Sequence, residues 1–297
     1  MEKRALLFVN NKKTSACILA ETISAKLVSK GYRAEIFSFS EKTERCNPEK
    51  PDISISLGGD GTVLFASRIM GPLGVPVLPV NLGTLGFISA IDPSQWEETF
   101  DRWNKKEAWK EEGEKSKAVI SRRLMLDVTV ERDGKAVFQG CCLNDAVISA
   151  AGIAKLVKLE VTAETSFSDR IELGHFRADG LIVATPTGST GYSVAAGGPI
   201  IDPEMDAVII NPICPFTLAN RPIVVPSDER IIALVEKEQR SDVILTVDGQ
   251  ITEPLKSGDR IIIRRSANTL QLIASDRWAF YRALRTKLAW SGGHKNA

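Results

Sequence analysis

Short apolar runs alternate with helical patterns through the N-terminal part of the chain. The apolar runs have the length and composition of β-strands and lie at 5–9, 34–39, 53–57 and 75–80. Between and after them, apolar residues recur every three or four positions, which predicts helices over 15–30, 63–70 and 96–109. Regular alternation of this kind indicates a parallel sheet whose two faces are covered by helices.

The pattern changes after Ser121. Two apolar runs flank Asp133-Gly134, a dipeptide typical of a tight turn, and predict a β-hairpin. Further strand-like runs follow with few helices between them, at 155–161, 181–184, 207–210, 223–225, 231–235, 243–247, 260–263 and 270–273. A helical pattern returns at 278–290. We therefore expect an α/β domain over 1–120, an all-β domain over 121–276 and a C-terminal helix over 277–297 that packs back on the first domain.

Composition narrows the class of protein. Of 297 residues, 43% are hydrophobic and 25% charged, and the formal net charge is +1, which gives no reason to expect a nucleic-acid or membrane partner. No apolar run approaches the ~20 residues of a membrane span, and the N-terminus lacks a signal-peptide pattern, so we expect a cytoplasmic protein. The five cysteines show no CxxC spacing and are expected to be reduced. With two histidines, a multi-histidine zinc site or a Ser-His-Asp hydrolase is improbable.

The first candidate for chemistry is Gly58-Gly59-Asp60-Gly61-Thr62, between a predicted strand and a predicted helix. Glycines let the backbone approach a phosphate, and the amides at a helix start favour an anion. No lysine follows the last glycine, so this is not a Walker loop. The carboxylate of Asp60 would repel phosphate unless it accepts a hydroxyl proton or holds Mg²⁺. A tight turn with an aspartate helix cap is the structural alternative.

Two further segments combine polar groups with strand ends. Asn144-Asp145 lies between apolar stretches and could bind a ribose diol or a base edge, although an Asx turn is the better explanation of this pair taken by itself. The segment 176–199 runs from a strand into a turn rich in glycine, threonine and serine, and then into small residues. Tyr192 adds a flat face that could stack on a base. A flexible loop is the alternative, but the apolar strand before the turn argues for a fixed one.

Together these segments resemble the bacterial NAD kinases, from the first strand to the last helix. The matching marks are the Gly-Gly-Asp-Gly-Thr turn, Asn144-Asp145, 179–180 with 185–192, 197–199, Asp248-Gly249-Gln250 and 284–290. The long glycine-rich segment is specific to the family. The Gly-Gly-Asp-Gly turn is shared with diacylglycerol, sphingosine and 6-phosphofructo-kinases.

The resemblance implies a Rossmann-like N-terminal domain, a sandwich-like C-terminal β domain, and transfer of the terminal phosphoryl group of ATP to the adenosine 2′-hydroxyl of NAD. It implies that Asp60 is the general base. The residues it implies in nucleotide binding are Gly59, Gly61, Asn144, Asp145, Arg177, Asp179, Thr190, Gly191, Tyr192, Ser193, Val194, Ala195 and Gln250. Mg²⁺ is expected to arrive with ATP rather than in a protein cage, and a homodimer or homotetramer is expected.

Departures from the family pattern and competing functions qualify this prediction. Phe216 stands where many relatives have histidine, and Gly191 stands where alanine is usual, which could loosen the ligand loop. Arg177 resembles the branch restricted to nucleoside triphosphates, so we expect little or no use of polyphosphate. The alternatives are a lipid kinase, a sugar-phosphate kinase and a non-catalytic NAD-binding regulator. The chain has no basic amphipathic helix for a lipid surface, no local basic cluster for a sugar phosphate, and retains Asp60, Asn144 and Asp145, which argues against all three.

Overall fold

A computed structural model of the protein describes residues 2–40, 46–83, 86–89, 91–105, 119–152, 155–165, 169–217, 220–274 and 278–288. The chain divides into two compact units. The first unit contains both ends of the chain, residues 1–122 and 270–297, and the second unit contains residues 123–269.

The first unit is a parallel sheet with flanking helices. Its elements in chain order are β1 (Lys3–Asn10), α1 (Thr14–Ser29), β2 (Tyr32–Phe39), β3 (Ile53–Gly58), α2 (Asp60–Leu73), β4 (Val77–Asn81) and α3 (Trp96–Asn104). The strands pair in the order β2-β1-β3-β4, all parallel. The last strand of the chain, β16 (Arg260–Ala274), joins this sheet through Leu272, which pairs with Val77 of β4. The helix α5 (Ala279–Lys287) follows it.

Helix α1 shows how the sequence pattern covers this sheet. Ala16, Ala20, Ile23 and Leu27 recur at helical spacing and are fully or almost fully buried. They belong to one apolar cluster with the inward-facing residues of β1, β3 and β4. The small alanines let the helix approach the sheet closely, so α1 is fixed against the strands that carry the Gly-Gly-Asp-Gly-Thr turn.

The second unit contains two antiparallel sheets. Its strands are β5 (Val119–Arg132), β6 (Lys135–Cys142), β7 (Asp145–Ala150), β8 (Val157–Glu164), β9 (Arg170–Ala178), β10 (Gly180–Ala184), β11 (Ala207–Ile213), β12 (Ile223–Pro226), β13 (Arg230–Val235), β14 (Val243–Val247), β15 (Ile251–Leu255) and the N-terminal part of β16. One sheet has the order β12-β11-β10-β7-β14-β15. In the other, β16, β13, β8 and β9 follow one another, and β5 pairs with β16 and β6.

The two sheets of the second unit pack as a sandwich. A single apolar cluster contains Ile148 and Leu245 from one sheet together with Val161 and Ile263 from the other. Because side chains alternate along a strand, Val147 points to the opposite face. There it packs with Ile182, Ala184, Ile209 and Ile213 and with residues of the segment after β10. The glycine-rich segment is therefore held on the outer face of this sheet.

The predicted fold class, α/β plus β, is confirmed, but several element predictions need correction. The runs 260–263 and 270–273 are not two strands, because β16 continues through the polar residues between them. Strands β7, β9 and β15 were not predicted, since polar or turn-forming residues interrupt their apolar pattern. Helix α2 begins three residues before the predicted start at Val63. Residues 106–109 of the predicted third helix and 289–290 of the last helix lie outside the described residues.

Candidate active site

The Gly-Gly-Asp-Gly-Thr turn joins β3 to α2. Gly59 is the N-cap residue in extended conformation, and its carbonyl accepts a hydrogen bond from the amide of Thr62 at 2.9 Å. A β-carbon at Gly58 would lie 2.2 Å from Thr62 Oγ1, so this glycine makes room for the threonine. A β-carbon at Gly59 would meet nothing within 4 Å. Gly59 therefore faces open space beside the N-terminus of α2, where a phosphate group can approach the backbone, and Gly61 follows in the first turn of the helix.

Asp60 does not act as a helix cap. Its carboxylate accepts hydrogen bonds from three successive backbone amides of the loop 86–89: Phe87 to Oδ2 at 3.0 Å, and Ile88 and Ser89 to Oδ1 at 3.3 and 2.8 Å. Each carboxylate oxygen can accept about two hydrogen bonds. Among the described residues, Oδ1 has two donors and Oδ2 has one, so Oδ2 keeps an acceptor position.

The loop that binds Asp60 is tightly fitted within the first unit. A β-carbon at Gly86 would lie 1.9 Å from Asp60 Oδ1 and 2.6 Å from Ser89 Oγ. Phe87 packs against Phe280 of α5, with 6.2 Å between ring centroids, and Lys287 Nζ lies 5.1 Å from the centroid of the Phe87 ring. The C-terminal helix thus supports the loop from which Asp60 receives its hydrogen bonds.

In the second unit, Asn144 and Asp145 lie against the start of the glycine-rich segment. Asp145 is the first residue of β7 and pairs with Ala184, the last residue of β10. The amide of Thr185 donates to Asn144 O at 2.8 Å. A β-carbon at Gly188 would lie 2.0 Å from that same oxygen. Glycine at 188 is therefore required by the close approach of these two turns.

The side chains of Asn144 and Asp145 converge beside Gly191. A β-carbon at Gly191 would lie 3.3 Å from Asn144 Nδ2 and 3.7 Å from Asp145 Oδ2. The amide of Gly191 donates to Gly188 O at 2.8 Å, which closes the turn. Because glycine rather than alanine occupies position 191, a small space remains there, bordered by the side chains of Asn144 and Asp145.

Buried internal contacts fix the glycine-rich segment. It forms a 3₁₀ turn (Thr187–Thr190) and a one-turn helix, α4 (Tyr192–Ala195). Asn211 Nδ2 donates to Ser193 O at 3.0 Å and to Ser193 Oγ at 3.3 Å, and both residues are fully buried. A β-carbon at Gly198 would lie 2.2 Å from Ser193 Oγ. The segment is a built turn rather than a flexible loop.

The outward residues of this segment are available to a ligand. The Tyr192 side chain is 49% exposed, Ala195 is exposed, and Thr190 and Val194 are half-buried. Asn144 Oδ1 and Thr187 Oγ1 are buried and find no hydrogen-bond partner among the residues that the structure describes. Since buried polar atoms normally have partners, these two suit donors supplied by a bound molecule.

The structure separates some predicted site residues from this cluster. Arg177 and Asp179 are exposed and lie at the N-terminal end of β10. The Asn144–Asp145 turn lies at the C-terminal end of β10. The length of this strand, roughly 17 Å, separates the turn from Arg177 and Asp179. Phe216 is 73% exposed, and its amide donates to Arg177 O at 2.8 Å, so it belongs to the distant end. Gln250 is buried and directly precedes β15. Strand β15 pairs with β14, which in turn pairs with β7.

Sequence reasoning missed the role of Asp248. Its carboxylate accepts hydrogen bonds from the amides of Leu143, Asn144 and Asp145 at 2.9, 2.7 and 3.2 Å. The signal was present as an Asp-Gly dipeptide directly after the strand-like run 243–247, since this dipeptide is typical of a hairpin turn. The loop 86–89 was also missed, because its bonds to Asp60 are made through backbone amides that leave no sequence signal.

Burial and a neighbouring charge alter the ionisation of Asp145. Its side chain is almost fully buried, and this burial, with the charge of Asp248 as the second cause, raises the pKa of Asp145 to about 7. An aspartate in an unfolded chain ionises near pH 4. Asp145 is thus about half protonated at neutral pH and can act as a donor or as an acceptor toward a ligand.

This shift predicts a pH-dependent stability. The folded protein retains a proton on Asp145 that the unfolded chain has lost, so the free energy of unfolding should decrease with rising pH between about 4 and about 7, by up to about 1.4 kcal/mol per pH unit. Asp145→Asn should lack this component. Urea denaturation of both proteins at about pH 5 and about pH 8 measures the difference, and a stability difference that does not change between them would contradict the assignment.

The described residues show no cage for a metal ion. No group of three or more His, Cys, Asp or Glu side chains among them could hold one. Both oxygens of Asp60 already accept backbone amides. The part of the chain that the structure describes thus does not fit a protein-held Mg²⁺ site. Within that part, no helix is both long and apolar enough to cross a membrane.

Comparisons with known proteins place these features in a family. The family model for the ATP-NAD kinase N-terminal domain matches residues 11–108, and that for the ATP-NAD kinase C-terminal domain matches residues 143–275. The NAD kinase of Treponema denticola is 40% identical over 98% of this chain and 97% of its own length. The chain belongs to the NAD kinase family. A relative named NAD kinase from Geotalea daltonii is 40% identical over 82% of the chain and 80% of its own length.

Solved structures agree with the family assignment at the level of the fold. The yeast NADH kinase complexed with NADH superposes with a TM-score of 0.81 at 21% identity, covering 99% of this chain and 89% of its own. The Archaeoglobus fulgidus NAD kinase in complex with ATP gives a TM-score of 0.71 at 24% identity, covering 98% and 100%. The α/β plus β architecture predicted from the sequence is therefore the architecture of the family.

Proposed function

We propose that this member of the NAD kinase family transfers the terminal phosphoryl group of ATP to the 2′-hydroxyl of the adenosine ribose of NAD. The observation that carries the proposal is the pair Asn144-Asp145 beside Gly191, in which the buried acceptor Asn144 Oδ1 has no partner within the described part of the chain. A ribose hydroxyl or an adenine amino group supplies the donor that this oxygen lacks. Tyr192, exposed next to Gly191, offers an aromatic face for a base.

In the proposed reaction, the 2′-hydroxyl oxygen forms a bond to the terminal phosphorus of ATP as the bond from that phosphorus to the bridging oxygen breaks and ADP leaves. The hydroxyl proton passes to Asp60. A base must lie within roughly 2.6–3.2 Å of the hydroxyl oxygen to accept the proton. We assign this role to Oδ2, which keeps an acceptor position, while Oδ1 stays bound to the amides of Ile88 and Ser89.

The remaining contributions are positioning and charge neutralisation, which dominate phosphoryl transfer. Gly59 and Gly61, at the N-terminus of α2, are proposed to receive phosphate oxygens. Mg²⁺ is proposed to enter as part of the ATP complex, because the described residues do not form a cage for it. Thr190, Ser193, Val194, Ala195 and Gln250 are proposed to complete the NAD site. Arg177 and Asp179, at the other end of β10, stay predicted contacts.

The decisive experiment is an assay of the purified protein with ATP, Mg²⁺ and NAD. We expect NADP, measured by reduction with an NADP-specific dehydrogenase. Reactions with inorganic polyphosphate as donor should give little or no NADP, as Arg177 predicts. Parallel reactions with diacylglycerol and sphingosine test the lipid-kinase alternative. Binding of NAD without formation of NADP would instead favour a non-catalytic NAD-binding protein.

Assembly and location are also proposals. The family resemblance supports a homodimer or homotetramer, which light scattering after size-exclusion chromatography would measure directly. The sequence composition supports a cytoplasmic location. Neither proposal bears on the chemistry assigned to Asp60.

A further inference from the structure

Asp248 occupies the tip of the β14–β15 hairpin. Asp248 and Gly249 have φ values of 52° and 61°, and the amide of Gln250 donates to Val247 O at 2.9 Å, as in a type I′ turn. Only glycine, asparagine and aspartate adopt this left-handed conformation readily. Asp248 is nevertheless 8% exposed, so its carboxylate turns inward from the hairpin tip rather than toward solvent.

The Asp248 carboxylate accepts hydrogen bonds from all three backbone amides of the Leu143–Asp145 turn. Oδ2 accepts from Leu143, and Oδ1 accepts from Asn144 and Asp145. Leu143 is fully buried and Asp145 nearly so, so these amides have no access to water as a substitute. Three consecutive amides that converge on one carboxylate form a strong anion-binding arrangement.

The carbonyl side of the same turn is fixed as well. Thr185 Oγ1 donates to Leu143 O, the amide of Thr185 donates to Asn144 O, and the amide of Asp248 donates to Asp145 O. The backbone of the turn therefore has no freedom to rotate, and the side chains of Asn144 and Asp145 are directed toward Gly191. Asp248 contributes on both sides of this arrangement.

We propose that Asp248 is a positioning residue for NAD, which acts by holding the Leu143–Asp145 turn so that Asn144 and Asp145 present their side chains to the nucleotide. The proposal rests on the proposed function of that pair in NAD binding. Asp248 also raises the pKa of Asp145, after burial, and contributes to the raised pKa of buried Cys142. Removal of its charge should therefore lower the pKa of Asp145, a readout that is separate from the stability of the fold.

The test variant is Asp248→Asn. The carboxamide oxygen of asparagine can still accept hydrogen bonds from the amides of Asn144 and Asp145. Its NH₂ group, however, would face the amide of Leu143, and two donors cannot form a hydrogen bond with each other. We expect the dissociation constant for NAD, measured by calorimetry, to rise about tenfold. The KM for NAD should rise by a similar factor, while kcat changes less than threefold. Asp248→Ala, which leaves all three amides without an acceptor, should weaken NAD binding further.

Asp259→Asn is the matched control. Asp259 is a fully buried aspartate in the same unit, accepts the amide of Lys256 at 2.8 Å, and pairs with Arg132 at 2.7 and 2.9 Å. Its loss should lower stability without changing the affinity for NAD. The carboxyl ¹³C resonance of Asp145, followed against pH, should titrate at lower pH in Asp248→Asn and at the wild-type pH in Asp259→Asn.

Several outcomes would overturn the proposal. These are an NAD affinity within twofold of wild type in a folded Asp248→Asn protein, an equal loss of affinity in Asp259→Asn, or an unchanged Asp145 titration. If neither Asp248 variant folds, Asp248 serves stability and the positioning role is rejected. Failure of the wild-type protein to bind NAD would reject the proposed function instead, and the Asp145 titration would still report whether the charge of Asp248 acts on Asp145.

Discussion

Asp60→Asn should lower the rate of NADP formation by roughly 10²- to 10⁴-fold, the range that a positioned general base contributes. Asparagine has nearly the same shape but does not accept the hydroxyl proton. Its carboxamide oxygen can replace Oδ1 as the acceptor for the amides of Ile88 and Ser89. Its NH₂ group would face the amide of Phe87, and this one hydrogen bond would be lost because both groups are donors. The KM for NAD should change little, because Asn144 and Asp145 are unaltered. Steady-state kinetics with ATP and NAD measure both quantities.

A control must separate the loss of proton transfer from a general loss of stability in the first unit. Asp52→Asn provides it, because Asp52 Oδ2 also accepts a backbone amide, that of Arg4 at 2.7 Å, in the same unit. Asp60→Asn should lower the free energy of unfolding by about 1–3 kcal/mol, and Asp52→Asn, whose hydrogen bond is exposed, by about 1 kcal/mol at most, but only Asp60→Asn should lose activity. Turnover near the wild-type rate in Asp60→Asn would remove Asp60 from the proton-transfer step.

Gly86→Ala should inactivate the protein even though it retains Asp60. The added methyl group would lie 1.9 Å from Asp60 Oδ1, far inside van der Waals contact, so the carboxylate or the loop must move. Movement of the loop would break the bonds from Phe87, Ile88 and Ser89 and shift Oδ2 from its position. We expect kcat to fall by at least about 10²-fold, as expected for a misplaced reacting group. We also expect the free energy of unfolding to fall by about 1–3 kcal/mol.

Gly83→Ala serves as the stability control for this change. A β-carbon at Gly83 would find only Lys13 Nζ, at 4.0 Å, so the methyl group has space. Its thermal midpoint should match that of the wild type, whereas Gly86→Ala should unfold at lower temperature. A Gly86→Ala protein with both wild-type stability and wild-type kcat would show that the loop is more compliant than its fit around Asp60 implies.

Local patterns in the sequence predicted most of the helices and strands. The apolar spacing of α1 predicted its existence and its buried face because that helix covers one side of a sheet. The Asp133-Gly134 dipeptide predicted the β5–β6 hairpin, and both residues adopt the positive φ that the turn requires. Strand β9 escaped prediction because most of its residues lie at least partly exposed and its sequence contains glycine, histidine and charged residues. Its pairing with β8 is decided by tertiary structure rather than by propensity.

The sequence singled out the candidate site residues but did not predict their hydrogen-bond partners. Asp60, Asn144 and Asp145 stood out because polar groups interrupt apolar runs at strand ends. Their environments depend on partners distant in sequence: Asp60 is bound by the loop 86–89, and Asn144 and Asp145 by Asp248, through backbone amides in each case. Any residue except proline offers an amide, so no residue type marks such a bond. The structure alone distinguishes a fixed carboxylate from a free one.

The division of the first unit between the two ends of the chain has a consequence for biosynthesis. The segment from Leu270 onward pairs with β4 and brings α5 against Phe87. A ribosome makes these residues after the whole second unit. During translation the β4 edge is therefore unpaired at first, and the loop 86–89, which binds Asp60, lacks the contact between Phe87 and α5. Nascent chains should therefore bind nucleotide weakly until the segment from Leu270 onward has been made.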